Sequence, residues 1–140
     1  MIVAGLDVGE KRIGIAICDT EIGAVHPIAT ATRHSIRQDL DILRRELESR
    51  AVEKIVVGLP LNMDGTEGPA ARRMRSFASE VERVLGIPVE CCDERLTSFE
   101  ARERIRGLPG ARSRRQQAVD ALAAMLILEN WLEKNPHLRR

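Results

Sequence analysis

The sequence predicts an α/β layer domain, a mixed sheet with helices on both of its faces. Three observations carry that expectation. The chain opens with two apolar strand-length segments joined by a short turn, IVAGLDV and IGIAICD, which read as a hairpin. Beyond them, short apolar runs alternate with stretches in which apolar residues recur every three or four positions. No segment repeats another, and no low-complexity tract or linker divides the chain.

Each element follows in order. Residues 2–8 form a buried strand, Gly9 to Arg12 turn, and residues 13–19 return beside it. A third strand is expected at 27–33. Ser35 can then cap a helix over 36–50, in which Ile36, Leu40, Leu43 and Leu47 fall on one face. Residues 53–59 make a fourth strand ended by Pro60. After the loop LNMDGTEG, Pro69 suits the first position of a helix that runs through Leu85 and closes on Gly86. In that loop Asp64 or Glu67 is expected either to cap the helix or to help hold substrate. A fifth strand covers 87–92, a short charged helix 98–106, and a long helix 114–134. That last helix is apolar on nearly every side from Ala118 to Leu128 except at Asp120, so it must pack on the sheet.

Composition narrows the function classes. A chain of 140 residues fits one domain, 1–140, and its 44% hydrophobic and 31% charged residues are those of a folding, globular sequence. The formal net charge is +1, so any site for a polyanion must come from local clustering. Phe77, Phe99 and Trp131 are the only aromatic residues, too few for a base-stacking platform. Cys18, Cys91 and Cys92 form neither a disulfide framework nor a metal-binding pair, which points to a reducing compartment. The N-terminus lacks the order of a signal peptide and no apolar run is long enough to span a bilayer, so the expected address is the cytoplasm, away from membranes.

Three carboxylates stand where a structural role costs too much. Alternation along the first strand puts Asp7 on a face with Gly5 and Gly9, so something is allowed to come close to it. A bare carboxylate there is expensive unless it is paired or bound to a cation. Asp120 has Gln116, Gln117, Ala123 and Ala124 as its neighbours one turn away, and none is a cation. It calls either for a metal or for an arginine from elsewhere in the fold. Asp93 and Glu94 close the fifth strand and project to opposite faces; Glu94 is expected to be the inward acid. Such a set, with no histidine or cysteine ligands at metal-binding spacing, suits a hard cation such as Mg²⁺ or Mn²⁺. Two such ions can drive phosphodiester hydrolysis without a nucleophilic side chain.

Positive charge is concentrated nearby. Residues 101–117 carry six arginines, Arg102, Arg104, Arg106, Arg112, Arg114 and Arg115, against the single Glu103. The second half of this patch leads into the helix of Asp120 and would bring a phosphate backbone toward the acids. Taken alone, it reads equally well as a solvated helix face.

Four segments in order carry a family resemblance: Asp7-Val8-Gly9-Glu10-Lys11-Arg12-Ile13-Gly14, Gly58-Leu59-Pro60-Leu61-Asn62-Met63-Asp64-Gly65, Asp93-Glu94-Arg95-Leu96-Thr97-Ser98 and Asp120-Ala121-Leu122-Ala123-Ala124. Over nearly the whole chain the sequence resembles the YqgF family. Those proteins are described as pre-16S rRNA nucleases, and earlier as Holliday junction resolvases, related to the RuvC resolvases. The resemblance implies an RNase H-like three-layer fold with a five-stranded mixed sheet whose second strand is antiparallel. It also implies a metal-dependent endonuclease whose catalytic and metal-holding residues are Asp7, Glu94 and Asp120. Arg112, Arg114 and Arg115 take the place of a basic cluster in which the family commonly has lysines. With Lys11, Arg12, Asn62 and Arg95 they are the residues expected to meet nucleic acid.

The expected substrate is precursor rRNA, with branched DNA as the alternative and the small-subunit precursor as a candidate partner. A resolvase would require a two-fold dimer, whereas an RNA-trimming enzyme works as a monomer or homodimer. Two further readings compete. The opening hairpin also looks like the phosphate-binding turn of actin-like and sugar-kinase ATPases, but those enzymes resemble two such domains around a nucleotide. A non-catalytic RNA- or ribosome-binding module would keep its binding when Asp7 and Asp120 are lost.

Overall fold

We describe residues 1–94 and 112–138 of a computed structural model, and for residues 112–117 the backbone alone. Strands β1 (Ile2–Val8), β2 (Arg12–Asp19), β3 (Val25–Thr32), β4 (Lys54–Leu59) and β5 (Val89–Asp93) form one sheet in the order β3-β2-β1-β4-β5. Strand β2 is antiparallel to both of its neighbours, β1 and β3, while β4 and β5 run parallel to β1. Helices α1 (Ile36–Glu48) and α2 (Pro69–Leu85) cover one face and α3 (Arg112–Lys134) the other. The expected mixed α/β sheet with helices on both sides is thus the observed architecture. The segment expected as a helix over 98–106 lies outside the described residues.

The local signals place most boundaries. Ser35 caps α1 by accepting a hydrogen bond from the Gln38 N–H at 3.2 Å, and Gly86 closes α2 at φ 70°. Gly68, not an acid, stands at the start of α2, where no side chain caps the helix. Glu67 instead pairs with Arg75 farther along α2, and Asp64 accepts hydrogen bonds from the Thr66 N–H and hydroxyl within the loop.

Three elements differ from expectation for identifiable reasons. Strand β3 starts earlier, at Val25, and keeps Pro27 inside it. As the sheet edge it can tolerate the missing donor, and its register shifts beside Ala16. Strand β5 begins later, at Val89, because Pro88 has no N–H to give and contributes only its carbonyl, to the Ile55 N–H. Helix α1 ends at Glu48, where the chain turns through a left-handed Ala51 at φ 55° and returns the Val52 N–H to Leu47 O. Ile36 stays 54% exposed at the start of α1 while Leu40, Leu43 and Leu47 are buried.

Alternation along the strands divides the core in two. Ala4, Leu6, Val8, Ile13, Ile15, Ile55 and Val57 face α1 and α2, packing on Leu43, Leu47, Phe77 and Val81. Val3, Ala16, Cys18 and Val56 face α3, against Ala124, Ile127, Leu128, Trp131 and Leu132. No described helix is long and apolar enough to cross a membrane.

The α3 face is unusually close-fitting. A Cβ on Gly5 would stand 2.6 Å from Leu128 Cγ, and one on Gly58 would stand 2.7 Å from Ile127 Cδ1. On Gly14 it would overlap the carbonyl oxygen of Asp120, a backbone atom that cannot rotate away. These three glycines therefore form the seat of α3.

Gly14→Ala should accordingly lower unfolding free energy by about 2–4 kcal/mol. Gly5→Ala should cost less, because the atom it meets first belongs to a leucine side chain. Urea unfolding of the two variants checks the order, and a neutral Gly14→Ala would show that α3 is not so closely seated.

Candidate active site

The topology brings two of the acids to one edge of the sheet. Because β1, β4 and β5 are parallel, Asp7 near the end of β1 and Glu94 just after β5 emerge on the same side. Strand β4 lies between them, and Gly58 leaves it bare at the point of crossing. The Glu94 side chain lies over that glycine, its Oε2 occupying the space a Cβ would need, at 2.5 Å. Its backbone N–H is fixed to Leu59 O at 3.2 Å. The parity of β5 also holds: Cys91 packs with the α1 and α2 core and Cys92 with the α3 core, so Glu94 falls on the α3 face.

Asp120 arrives from α3. In the β1–β2 ladder Asp7 is opposite Gly14, and the main chain of Asp120 rests on that glycine. The bare position thus puts the third acid beside the first. Asp120 does not lack a cation: Arg12 Nε donates to its Oδ2 at 2.7 Å, with the two side chains 32% and 13% exposed. The arginine-from-elsewhere alternative is therefore realised. Its source is the β1–β2 turn, 108 residues away in sequence.

Burial and crowding leave the acids short of favourable partners. Burial pushes Asp7 up to about 6, and the charge of Asp120 adds to that, while a hydrogen bond from Glu94 acts in the opposite direction. Glu94 is pushed up to about 8, first by burial and then by the negative charge of Asp7 and of Asp93. Both shifts favour a proton held between the two carboxyls, with Glu94 donating to Asp7. Glu94 Oε2 is buried and, among the described residues, no donor reaches it. An orphaned buried oxygen of this kind is a cost the fold carries for some purpose other than packing.

This donor set fits a hard cation, since carboxylate oxygens supply it and no thiol or imidazole intrudes. Among the described residues no three His, Cys, Asp or Glu side chains already surround a point where an ion could sit. Asp120 is engaged with Arg12 while Asp7 and Glu94 face each other. The thiols are ill suited to nucleophilic chemistry: burial raises Cys91, and raises Cys92 to about 12.

The expected nucleic-acid contacts divide into three groups. Lys11 is exposed in the β1–β2 turn, beside Arg12. Asn62 is occupied in its own loop, where its Nδ2 donates to Thr66 Oγ1 at 3.0 Å and its backbone exchanges hydrogen bonds with Gly65 and Thr66. Arg95 lies outside the described residues, as do the side chains of Arg112, Arg114 and Arg115.

Sequence reasoning missed Arg33. Its backbone N–H donates to Lys11 O at 2.9 Å and its Nη1 to Gly9 O at 2.8 Å, so it fastens both sides of the turn that carries Arg12. Buried Asp39 holds it from α1, accepting from Nε at 3.1 Å, and Phe77 of α2 lies 5.1 Å below the guanidinium. The available signal was one arginine at the end of an apolar strand.

Because both carboxyls bind their protons more tightly folded than unfolded, the folded state loses stability as pH rises through about 4 to 8. Glu94→Gln, which keeps a donor toward Asp7 without the charge, should stabilise the metal-free protein by about 2 kcal/mol at pH 8. It should have little effect at pH 4. Denaturant midpoints at the two pH values check this, and equal shifts at both would remove the electrostatic explanation.

Comparison with known proteins follows the same lines as the geometry. The chain is 48% identical over 132 residues to a protein of Anaeromyxobacter sp. (strain K) named "Putative pre-16S rRNA nuclease", covering 93% of this chain and 95% of that one. It is 44% identical over 138 residues to a protein of the same name from Heliobacterium modesticaldum, covering 99% and 93%. In structure it resembles Thermus thermophilus RuvC, with a TM-score of 0.58, 13% identity and 96% and 97% of the two chains covered. The fowlpox virus Holliday junction resolvase is similar at 0.53 and 12%, covering 96% and 99%. These two likenesses show the RNase H-like fold. Residues 1–134 match the family described as RuvX, Holliday junction resolvase. The chain belongs to that family of nucleases, the group whose YqgF motifs run through its sequence.

Proposed function

We propose that this protein is a divalent-metal-dependent endonuclease that cuts structured nucleic acid, with the 5′ leader of precursor 16S rRNA as its substrate in the cytoplasm. The observation that carries the proposal is the buried Asp7–Glu94 pair beside Asp120, with Glu94 Oε2 left without a donor. A set of acids that crowd one another and share a proton is costly alone and becomes favourable around a cation.

Asp7, Glu94 and Asp120 would hold the ion, Mg²⁺ or Mn²⁺. When bound, a divalent ion there supplies an activated water and neutralises charge at the leaving oxygen. The chain's own residues do the rest. Asp7 and Glu94 must give up their shared proton for the site to load. Lys11 and Arg12, together with Arg95, Arg112, Arg114 and Arg115, would hold the phosphate backbone against the acids, reading shape more than sequence. Asn62 supports the loop after β4 and would reach substrate only if its bond to Thr66 opened.

The rRNA substrate is favoured by the names of the relatives that share 40–48% of their residues with this chain. A second reading, cleavage of branched DNA, draws on the family description and on the T. thermophilus RuvC structure solved with a Holliday junction. That reading requires a two-fold dimer to place paired cuts.

A side-by-side assay tests both. Labelled precursor leader RNA and a four-way DNA junction are incubated in Mn²⁺ with wild type, Asp7→Asn and Asp120→Asn. The expected result is metal-dependent cutting of the RNA, reduced at least ~100-fold in each variant. Paired incisions in the junction would favour the resolvase. Retained RNA binding with no cutting by wild type would favour a non-catalytic module.

A further inference from the structure

The Arg12–Asp120 pair has a role that the cleavage chemistry leaves unassigned. Resting on the metal-dependent reading above, we propose that Arg12 occupies at Asp120 the place a divalent ion takes. Arrival of the ion would then release the guanidinium from Asp120 toward a substrate phosphate. The arginine is a stand-in cation for the unloaded site and a phosphate ligand for the loaded one.

The placement of the two residues supports this. Arg12 and Gly14 are two apart on β2 and share its α3 face, the face on which Asp7 stands. Since Asp120 rests on Gly14, which is opposite Asp7 in the ladder, its carboxylate is bonded to Arg12 and also acts electrostatically on Asp7. An ion drawn to the paired acids and to Asp120 therefore competes with the arginine for that carboxylate.

The backbone beneath Arg12 is held while its side chain has room to leave. Gly9 N–H donates to Arg12 O at 2.8 Å, and Arg33 binds Lys11 O and Gly9 O, so the turn itself is fastened at three points. The arginine side chain is 32% exposed against 13% for its partner, so it is the more open of the two to solvent. Release needs only a change of side-chain rotamer. With the guanidinium a third exposed, water screens part of the pair's attraction. A divalent ion brings twice the charge and several oxygen contacts at once, so it wins the competition.

A structural role for Arg12 makes the opposite prediction, since losing a support for Asp120 would loosen the site and weaken metal binding. The test is calorimetric titration of the full chain with Mn²⁺, without nucleic acid, comparing wild type with Arg12→Gln. The proposal expects Arg12→Gln to bind Mn²⁺ about fivefold more tightly, the size set by removing one weak competing pair. Equal or weaker binding overturns it. A second measurement needs no variant at this position: the Nε–Hε resonance of Arg12 in the wild type should move as Mg²⁺ is added and saturate with metal occupancy. A resonance unmoved at saturating Mg²⁺ overturns the proposal as well. Neither arm uses substrate, so failure to cut RNA or DNA bears on the nuclease reading alone, and an unchanged affinity in Arg12→Gln bears on this inference alone.

Discussion

The site depends on how closely α3 lies against the sheet. A helix normally stands off a sheet by the thickness of two layers of side chains, which would leave Asp120 too far from Asp7 to feel its charge. Here Gly5, Gly14 and Gly58 remove the sheet's share of that layer on three adjacent strands, β1, β2 and β4. Gly14 takes the main chain of Asp120 and Gly5 takes Ala124 and Leu128. Gly58 takes both Ile127 and the side chain of Glu94. The same three missing side chains pack the helix and assemble the acids, so stability and function draw on one feature.

That closeness has an electrostatic consequence. Pressing a hydrophobic helix over the edge of the sheet removes water from Asp7 and Glu94, and it is burial, before any neighbouring charge, that raises both. The fold answers with the means available without a metal: a proton shared by two carboxyls and, among the described residues, Arg12 on the third. Each is a partial neutralisation. Glu94 Oε2 still has no donor among the described residues, and the Arg12 guanidinium is partly open to solvent. A site tuned for stability would fill that oxygen with a donor. On the metal-dependent reading proposed above, leaving it bare keeps the pocket attractive to a cation, an exchange of stability for activity.

Much of this was legible in the sequence because it follows from local rules. Alternation along β1 and β5 put Asp7 and Glu94 on the α3 face, and cap chemistry placed the ends of α1 and α2 at Ser35, Pro69 and Gly86. What local rules do not contain is which residue meets which across the fold. The cation for Asp120 sits 108 residues away, and helical neighbours at i±3 and i±4 carry no information about it. Gly14 and Gly58 read as ordinary motif glycines until the helix and the glutamate that lie against them are known. The shorter start of β5 was available from Pro88, whereas the retention of Pro27 inside β3 depended on β3 being the edge strand, a fact of topology.

The far face of the sheet takes part through Arg33. Among the described residues Asp39 is the buried acid there, and a buried charge in an apolar layer needs a reason. Its two oxygens accept from Arg33 Nε and from the His34 N–H, which aligns the guanidinium over Phe77 and aims Nη1 at Gly9 O. The path runs from α1 and α2, through one arginine, into the turn that begins two residues after Asp7 and ends at Arg12. Because that turn belongs to an antiparallel pair whose strands are buried on both faces, it has few ways to yield except by rotating its side chains. A rigid turn bearing one long, solvent-bordering cation is the arrangement a site needs if its backbone is to hold still while its charge balance changes. On the proposed release of Arg12, the part-buried Arg33–Asp39 pair is the support that holds Asp7 still while the arginine moves.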